Sequence, residues 1–391
     1  MRDGIPLLSS TPAVTNAMLD RILSHLRSVA PDVVDVPVLQ PADPFLETAG
    51  EDLRRRIFIT EAVDGTTLCL RPEFTIPVGL HHVKLAQNGQ QVRRRYACGG
   101  MVFRQNRADG NQFDQVGVED LGDENRIAAD AACLSDFITT LSLVGLDRAS
   151  ITLGDQALFE ALVAALDCPA PLARRLRRSF GETGQLSRVI AEASSGDATR
   201  ASSKEPAVSM ALAGDEDGLA NLVQNEMNAA GLSPAAGRDP RAIARRMIEK
   251  TQERGVQLDP DRARILSGFL DINGPLDTGA EQLAVFTQWA GLDLTDAITI
   301  FQTRVEALRA RGASLDTVSY AAAFGRKLDY YTGLVFEATS ETDPSGERLS
   351  LGGGGRYDRL CSLLGSPNPV PAVGFSLSMD RIQKALEARA A

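Results

Sequence analysis

The hydrophobic period of this chain changes twice. Short β-branched runs punctuated by Asp, Gly and Pro occupy both ends, whereas residues 156–312 repeat at helical spacing in nearly every window. Strand side chains alternate faces every two residues and helix side chains return to one face every 3.6, so a single segment cannot serve both patterns. Sheet-forming ends around a helical middle are satisfied most simply by one antiparallel-rich α+β core interrupted by an inserted helical domain. We therefore expect a core built from residues 1–155 and 316–391, with 156–315 as the insertion. The 391 residues also exceed the roughly 250 to 300 at which one hydrophobic core stops growing.

Within this frame, Val14, Met18, Ile22, Leu23 and Leu26 predict an amphipathic helix over 11–30. Strand-like runs follow at 33–38, 56–60 and 67–70, then a helix over 74–87. Residues 92–105 and 112–121 read as two longer strands, and the polar, Gly-containing 106–111 between them makes the pair a hairpin. A long apolar-faced helix is expected over 126–144, and a strand over 150–153 that runs through Gly154 and Asp155 into the next helix. Breaks in the helical middle fall at 168–171, 196–205, 232–234, 238–240 and 273–275. Strands return at 318–323, 332–340 and 348–351, closed by the glycines 352–355 and by a final strand and helix.

Composition narrows the function classes. Lys and Arg number 41 against 51 Asp and Glu, a net charge of −10, so no overall positive field attracts a phosphate polymer and nucleic acid is not the expected partner. The five cysteines are scattered without a C-x-x-C pair and odd in number, which reads as thiols in a reducing compartment. The first residues lack the charged and apolar regions of a secretory leader, and no run approaches ~18 uncharged apolar residues. These features predict a soluble cytoplasmic protein with no membrane partner. The three histidines, His25, His81 and His82, are not at ligand spacing with cysteines or carboxylates, so no metal, no cofactor and no His-activated nucleophile is expected.

Three constellations each admit two readings. The glycines 352–355 lack the P-loop pattern and its Lys, and serve either close backbone approach within a strand or the floor of a ligand site. Gln115 and Glu119 lie four apart in a predicted strand and so share a face, with Gly117 leaving space between them. They form either a solvated strand face or a pocket floor, in which Gln115 holds an amide or carboxylate and Glu119 accepts a proton-bearing nitrogen. Arg326, Asp329, Tyr330 and Tyr331, with Tyr357, gather three of the five tyrosines beside glycine-rich strands, for core packing or for orienting a small polar ligand.

Taken in order, Leu70-Arg-Pro-Glu-Phe-Thr75, Val102-Phe-Arg104, Gln115-Val-Gly-Val-Glu119, Arg326-Lys-Leu-Asp-Tyr-Tyr331, Gly353-Gly-Gly-Arg-Tyr-Asp358 and the Arg381-bearing segment 372–381 resemble the catalytic core of histidyl-tRNA synthetase, over 11–153 and 318–381. The resemblance implies a class II antiparallel sheet flanked by helices. It implies that Glu73, Thr75 and Gln115 face the α-amino group of histidine, that Arg104 faces its carboxylate, and that Glu119, Tyr330, Tyr331 and Tyr357 surround its imidazole. Arg326, counted with that pocket, and Arg381 match the synthetase's catalytic and phosphate-binding arginines. The residue types agree, since a zwitterion needs an acceptor and a cation and an imidazole needs one acceptor and one donor.

Departures from the synthetase pattern are equally informative. Asn106 stands where the enzyme has an ATP-contacting Glu, the shortened loop carries Asp109, and Lys327 replaces a Gly. Negative charge at Asp109 opposes a triphosphate, and phosphoryl chemistry depends on stabilising developing charge. After Arg381 the numbering runs only to 391, so the anticodon-binding domain is expected to be missing. A kept amino-acid pocket with an eroded ATP loop and no tRNA-reading domain resembles the family of ATP phosphoribosyltransferase regulatory subunits. That resemblance implies a chain with no catalytic residues of its own, a homodimer within a hetero-octamer, a short-form catalytic subunit as partner, and L-histidine as feedback ligand. The competing readings are a histidyl-adenylate-forming ligase acting on a non-tRNA acceptor, a histidine sensor for another partner, and a tRNA synthetase.

Overall fold

Among the described residues, nine strands lie side by side in one mixed sheet, from one edge to the other. They are β1 (Asp32–Val33), β5 (Arg94–Phe103), β6 (Gln112–Leu121), β12 (Ala372–Ser378), β11 (Ser350–Arg356), β10 (Leu334–Thr339), β7 (Ser150–Asp155), β9 (Val318–Ala321) and β8 (Asn273–Pro275). The computed structural model describes residues 16–90, 93–105, 110–195, 206–230, 239–254, 257–326, 330–342 and 346–390. Residues 11–15 of the expected first helix, the breaks at 196–205 and 232–234, Arg238, and Asn106, Asp109, Lys327 and Asp329 lie outside the described residues.

Two neighbouring pairs, β1 with β5 and β7 with β9, run parallel, and the other sheet neighbours are antiparallel. Strands β2 (Leu39–Pro41), β4 (Thr67–Leu70) and β3 (Ile59–Glu61) make a second, three-stranded sheet. The fold class is therefore the expected α+β, with a large antiparallel-rich sheet. Contacts divide the chain into one unit of Met1–Leu158, Ile272–Trp289 and Leu294–Ala391, and another of Phe159–Asp271 and Ala290–Asp293.

Register explains how the central sheet is covered. Val118 pairs with Ala97 and Phe375, and Phe375 pairs with Gly354, which pairs with Phe336, so these residues share one face. Helix Arg126–Leu143 lies on that face. Asn125 caps its start by accepting from Ala128 N at 3.2 Å, and Ala129, Cys133, Phe137 and Leu141 recur at four-residue spacing along its buried side. The Phe137 ring lies 5.0 Å from Phe336 and 5.4 Å from Phe375, and each such buried phenyl contributes about 1.5 to 3 kcal/mol. The opposite face carries Glu119 opposite Gly374, Gly374 opposite Gly355, and Gly355 opposite Val335. Helix Thr75–Gln87 packs near β6, and its His82 is a core residue with Nδ1 3.1 Å from the Tyr96 hydroxyl.

Several expectations shift. The run 33–38 is a strand only at its start, because Pro37 lacks an N–H and the carbonyls of Val36, Pro37 and Val38 are taken by Arg71 and Gln40 instead. Residues 273–275, read as a helix break, form β8 against β9. The glycines 352–355 lie within β11 rather than closing it. Helices Gly279–Ala290 and Thr295–Ala310 carry the helical period of the middle, yet all of Thr295–Ala310 and most of Gly279–Ala290 group with the sheet unit. In the second unit, Phe159 stacks on Phe180 at 4.7 Å, and Ala211, Leu219, Ala220 and Ala244 form a small core of their own.

Candidate functional site

The site is built on the glycine-bearing face of β6, β12 and β11. Glu119, 2% exposed, projects from β6 and lies over Gly374, where an added Cβ would overlap its carboxylate. Arg326 likewise lies over Gly353, and a Cβ at Gly355 would meet the Leu334 carbonyl at 2.5 Å and a Tyr331 ring carbon at 2.9 Å, so these two glycines also serve close strand approach. These glycines therefore make room for the side chains of the site, which reconciles the two sequence readings of the run. Gly117 behaves otherwise. A Cβ there would strike the Phe375 carbonyl, so its missing side chain serves the β6–β12 approach and not the space expected above it.

Glu119 Oε1 accepts from the Thr75 hydroxyl at 2.6 Å, and its Oε2 accepts from the Tyr357 hydroxyl. Burial pushes its pKa up to about 8, against the pull of these two hydrogen bonds and with the help of the nearby negative charge of Glu73. Glu73 is also buried. Its carboxylate caps helix Thr75–Gln87, accepting from Thr75 N at 2.6 Å and Ile76 N at 2.8 Å, which places charge where the helix N–H groups are unsatisfied. Burial raises its pKa, and those hydrogen bonds and the Arg104 charge oppose the rise.

Gln115 donates from Nε2 to Ser376 Oγ at 3.0 Å, while its Oε1 is buried with no hydrogen-bond partner among the described residues. An acceptor left in this state is costly unless a ligand supplies the donor. Tyr330, Tyr331 and Tyr357 are buried, with ring centroids 5.0 Å (Tyr330 to Tyr331) and 5.8 Å (Tyr330 to Tyr357) apart. Burial raises the Tyr331 pKa to about 12, with Arg326 acting against it, so the phenol stays a neutral donor.

Half-buried Arg104 donates from Nε to Pro72 O at 2.8 Å and sits 5.2 Å from the Phe113 ring centroid. Burial lowers its pKa; Glu73 and Tyr330 counter this, and the positive charges of Arg326 and Arg381 add to it. Two further guanidiniums, Arg326 and Arg381, thus act on Arg104. Arg326 Nη1 donates to Phe336 O at 3.2 Å and Arg381 Nη1 to Ser350 O at 3.1 Å. The structure therefore gathers Glu73, Thr75, Arg104, Gln115, Glu119, Arg326, Tyr330 and Tyr331, with Tyr357. Ser376 was missed by sequence reasoning, since it stands 261 residues from Gln115 and no local pattern records that β6 and β12 are neighbours. No group of three or more His, Cys, Asp or Glu side chains suited to a metal occurs among the described residues.

The family model described as histidyl-tRNA synthetase matches residues 7–225 and 216–382. The crystal structure of an ATP phosphoribosyltransferase regulatory subunit/histidyl-tRNA synthetase from Bacillus halodurans C superposes with a TM-score of 0.62 at 18% identity, covering 97% of this chain and 84% of that one. A histidine–tRNA ligase subunit from Alicyclobacillus acidocaldarius gives 0.60 at 22% identity, covering 100% and 99%. The chain thus has the histidyl-tRNA synthetase type of class II fold. An ATP phosphoribosyltransferase regulatory subunit from Mesorhizobium japonicum is 49% identical over 356 residues, 91% of this chain and 93% of its own length. One from Chelativorans sp. is 47% identical over 351 residues, 90% and 92%. This chain belongs to the family of ATP phosphoribosyltransferase regulatory subunits.

Proposed function

We propose that this chain activates a short-form ATP phosphoribosyltransferase catalytic subunit in the cytoplasm and carries feedback by L-histidine to it, as a homodimer within a hetero-octamer, without catalytic residues of its own and without binding nucleic acid. The observation that carries the ligand assignment is the buried, hydroxyl-held Glu119 on the same strand face as the open acceptor of Gln115. Glu119 and the tyrosine hydroxyls supply an acceptor and donors for an imidazole. Gln115 and Glu73 supply acceptors for an ammonium, and Arg104 a cation for a carboxylate. Charge-assisted hydrogen bonds of this kind contribute about 1.5 to 3 kcal/mol each. The relatives' names support the partner. The cysteines, all free and mostly buried, support a reducing compartment, and no described helix is long and apolar enough to cross a membrane.

The ligase alternative gains nothing from these relatives, which are named as regulatory subunits. The test is to mix the chain with a short-form catalytic subunit and follow phosphoribosyl-ATP formation with and without histidine. The expected result is activation on mixing that histidine reverses, and no activation by a cognate pair would overturn the reading.

A further inference from the structure

Beneath the pocket lies a chain of buried ions that histidine recognition does not use directly. Asp130, on helix Arg126–Leu143 and 1% exposed, accepts from Arg356 Nε at 2.8 Å through one oxygen and from Arg304 Nε at 2.8 Å through the other. Arg304, on helix Thr295–Ala310, reaches with Nη1 to Asp155 Oδ2 at 2.6 Å, and Asp155 Oδ1 takes the Ala157 N–H at 2.9 Å to cap helix Gln156–Ala165. Arg356 Nη1 continues to Asp358 Oδ1 at 2.7 Å, which also holds Ala372 N at 2.9 Å. Taking this many charges out of water is expensive, and apolar side chains of equal volume commonly stabilise a fold as well or better. What an ion chain adds is direction, because each guanidinium satisfies its carboxylates in one orientation.

That direction ends in the pocket. Arg356 is the residue before Tyr357, whose hydroxyl holds Glu119. The Arg356 carbonyl accepts from both Thr332 N at 2.7 Å and Thr332 Oγ1 at 3.3 Å, so the segment that follows Tyr330 and Tyr331 hangs from the same residue. Gly333 packs on the Arg356 side chain, with a Cβ there 3.5 Å from its Cδ.

We propose that Arg304 is a positioning residue for the histidine pocket, acting through Asp130 and Arg356 to set the wall of Tyr357, Tyr331 and Glu119 that faces the imidazole. The seating of helix Thr295–Ala310 and the selectivity of the pocket are then one property. This rests on the histidine reading above. It predicts that losing Arg304 impairs recognition of the ring more than recognition of the amino acid's ammonium and carboxylate.

The test compares histidine with a ring-N-methylated histidine by calorimetry, in wild type and in Arg304→Met. A second variant, Arg304→Met with Asp155→Asn, removes the charge left without its guanidinium and keeps the helix cap, in case the single variant does not fold. The expected result, in a variant with unaltered circular dichroism and a single cooperative melt, is at least a threefold fall in the affinity ratio of the two ligands. An unchanged ratio in a folded variant would overturn the proposal while leaving the pocket assignment standing. Absence of histidine binding by the wild-type chain would instead defeat the pocket assignment, and the proposal with it.

Discussion

Two carboxylates in this molecule are equally sealed from water and are treated in opposite ways. Glu119 is 2% exposed and Asp130 1%. Asp130 has a guanidinium on each oxygen, and its charge and those of Asp155 and Asp358 outweigh the burial that would depress Arg304 and Arg356, so both pKa values are raised. Among the described residues Glu119 is given two hydroxyls and no cation, and its pKa rises to about 8. A buried carboxylate whose cationic partners are complete belongs to the scaffold, whereas one held by neutral groups is a candidate for a partner from outside. Burial alone does not mark a site, and incomplete compensation does.

The comparison breaks first at Asp130. Asp130→Ala takes the shared acceptor from two buried guanidiniums, and urea denaturation should show a loss of about 3 to 5 kcal/mol. Glu119→Ala should leave the fold standing and weaken histidine binding by about 2 kcal/mol or more, some 30-fold in calorimetric affinity. If the two variants had the same profile, with stability and binding lost together, the division between scaffold and site would be wrong.

Proton linkage sharpens the contrast further. A carboxyl whose folded pKa is about 8, above an ordinary 4.5, holds its proton in the folded state after the unfolded state has released it. Stability therefore falls as pH rises through the window between those values, by up to about 1.4 kcal/mol per pH unit. Urea midpoints at pH 5 and pH 8 should show a steeper decline in the wild type than in Glu119→Gln, where the raised carboxyls of Glu73 and Asp114 still contribute. The smallest effect expected is at the neighbouring amide. Gln115→Ala removes one neutral acceptor and should weaken histidine by about 1 kcal/mol, with no change in the pH profile.

The sequence shows the contrast unevenly. Strands β4 and β6 match their expected ranges because turn residues bound them and their runs are sharp. The grouping of Gln115, Glu119 and the tyrosines was legible because period two and adjacency are local signals. Arg304 was not, since its carboxylates stand 174 and 149 residues away and no local pattern records a pairing at that distance. Helical period likewise says which side of Thr295–Ala310 is apolar, not which unit that side packs on. Asn273–Pro275 looked like punctuation, because a three-residue edge strand containing Gly and Pro offers nothing else to read.

The bare floor under the site reverses the usual meaning of an alanine scan. At most positions alanine truncates a side chain and asks what the missing atoms did. At Gly353, Gly355 and Gly374 it inserts a methyl beneath Arg326, Tyr331 and Glu119. Gly374→Ala would dislodge the Glu119 carboxylate while leaving it chemically intact, so calorimetry should show histidine binding weakened with every proposed contacting group still present. At these positions the specificity of the pocket is written in atoms the chain leaves out.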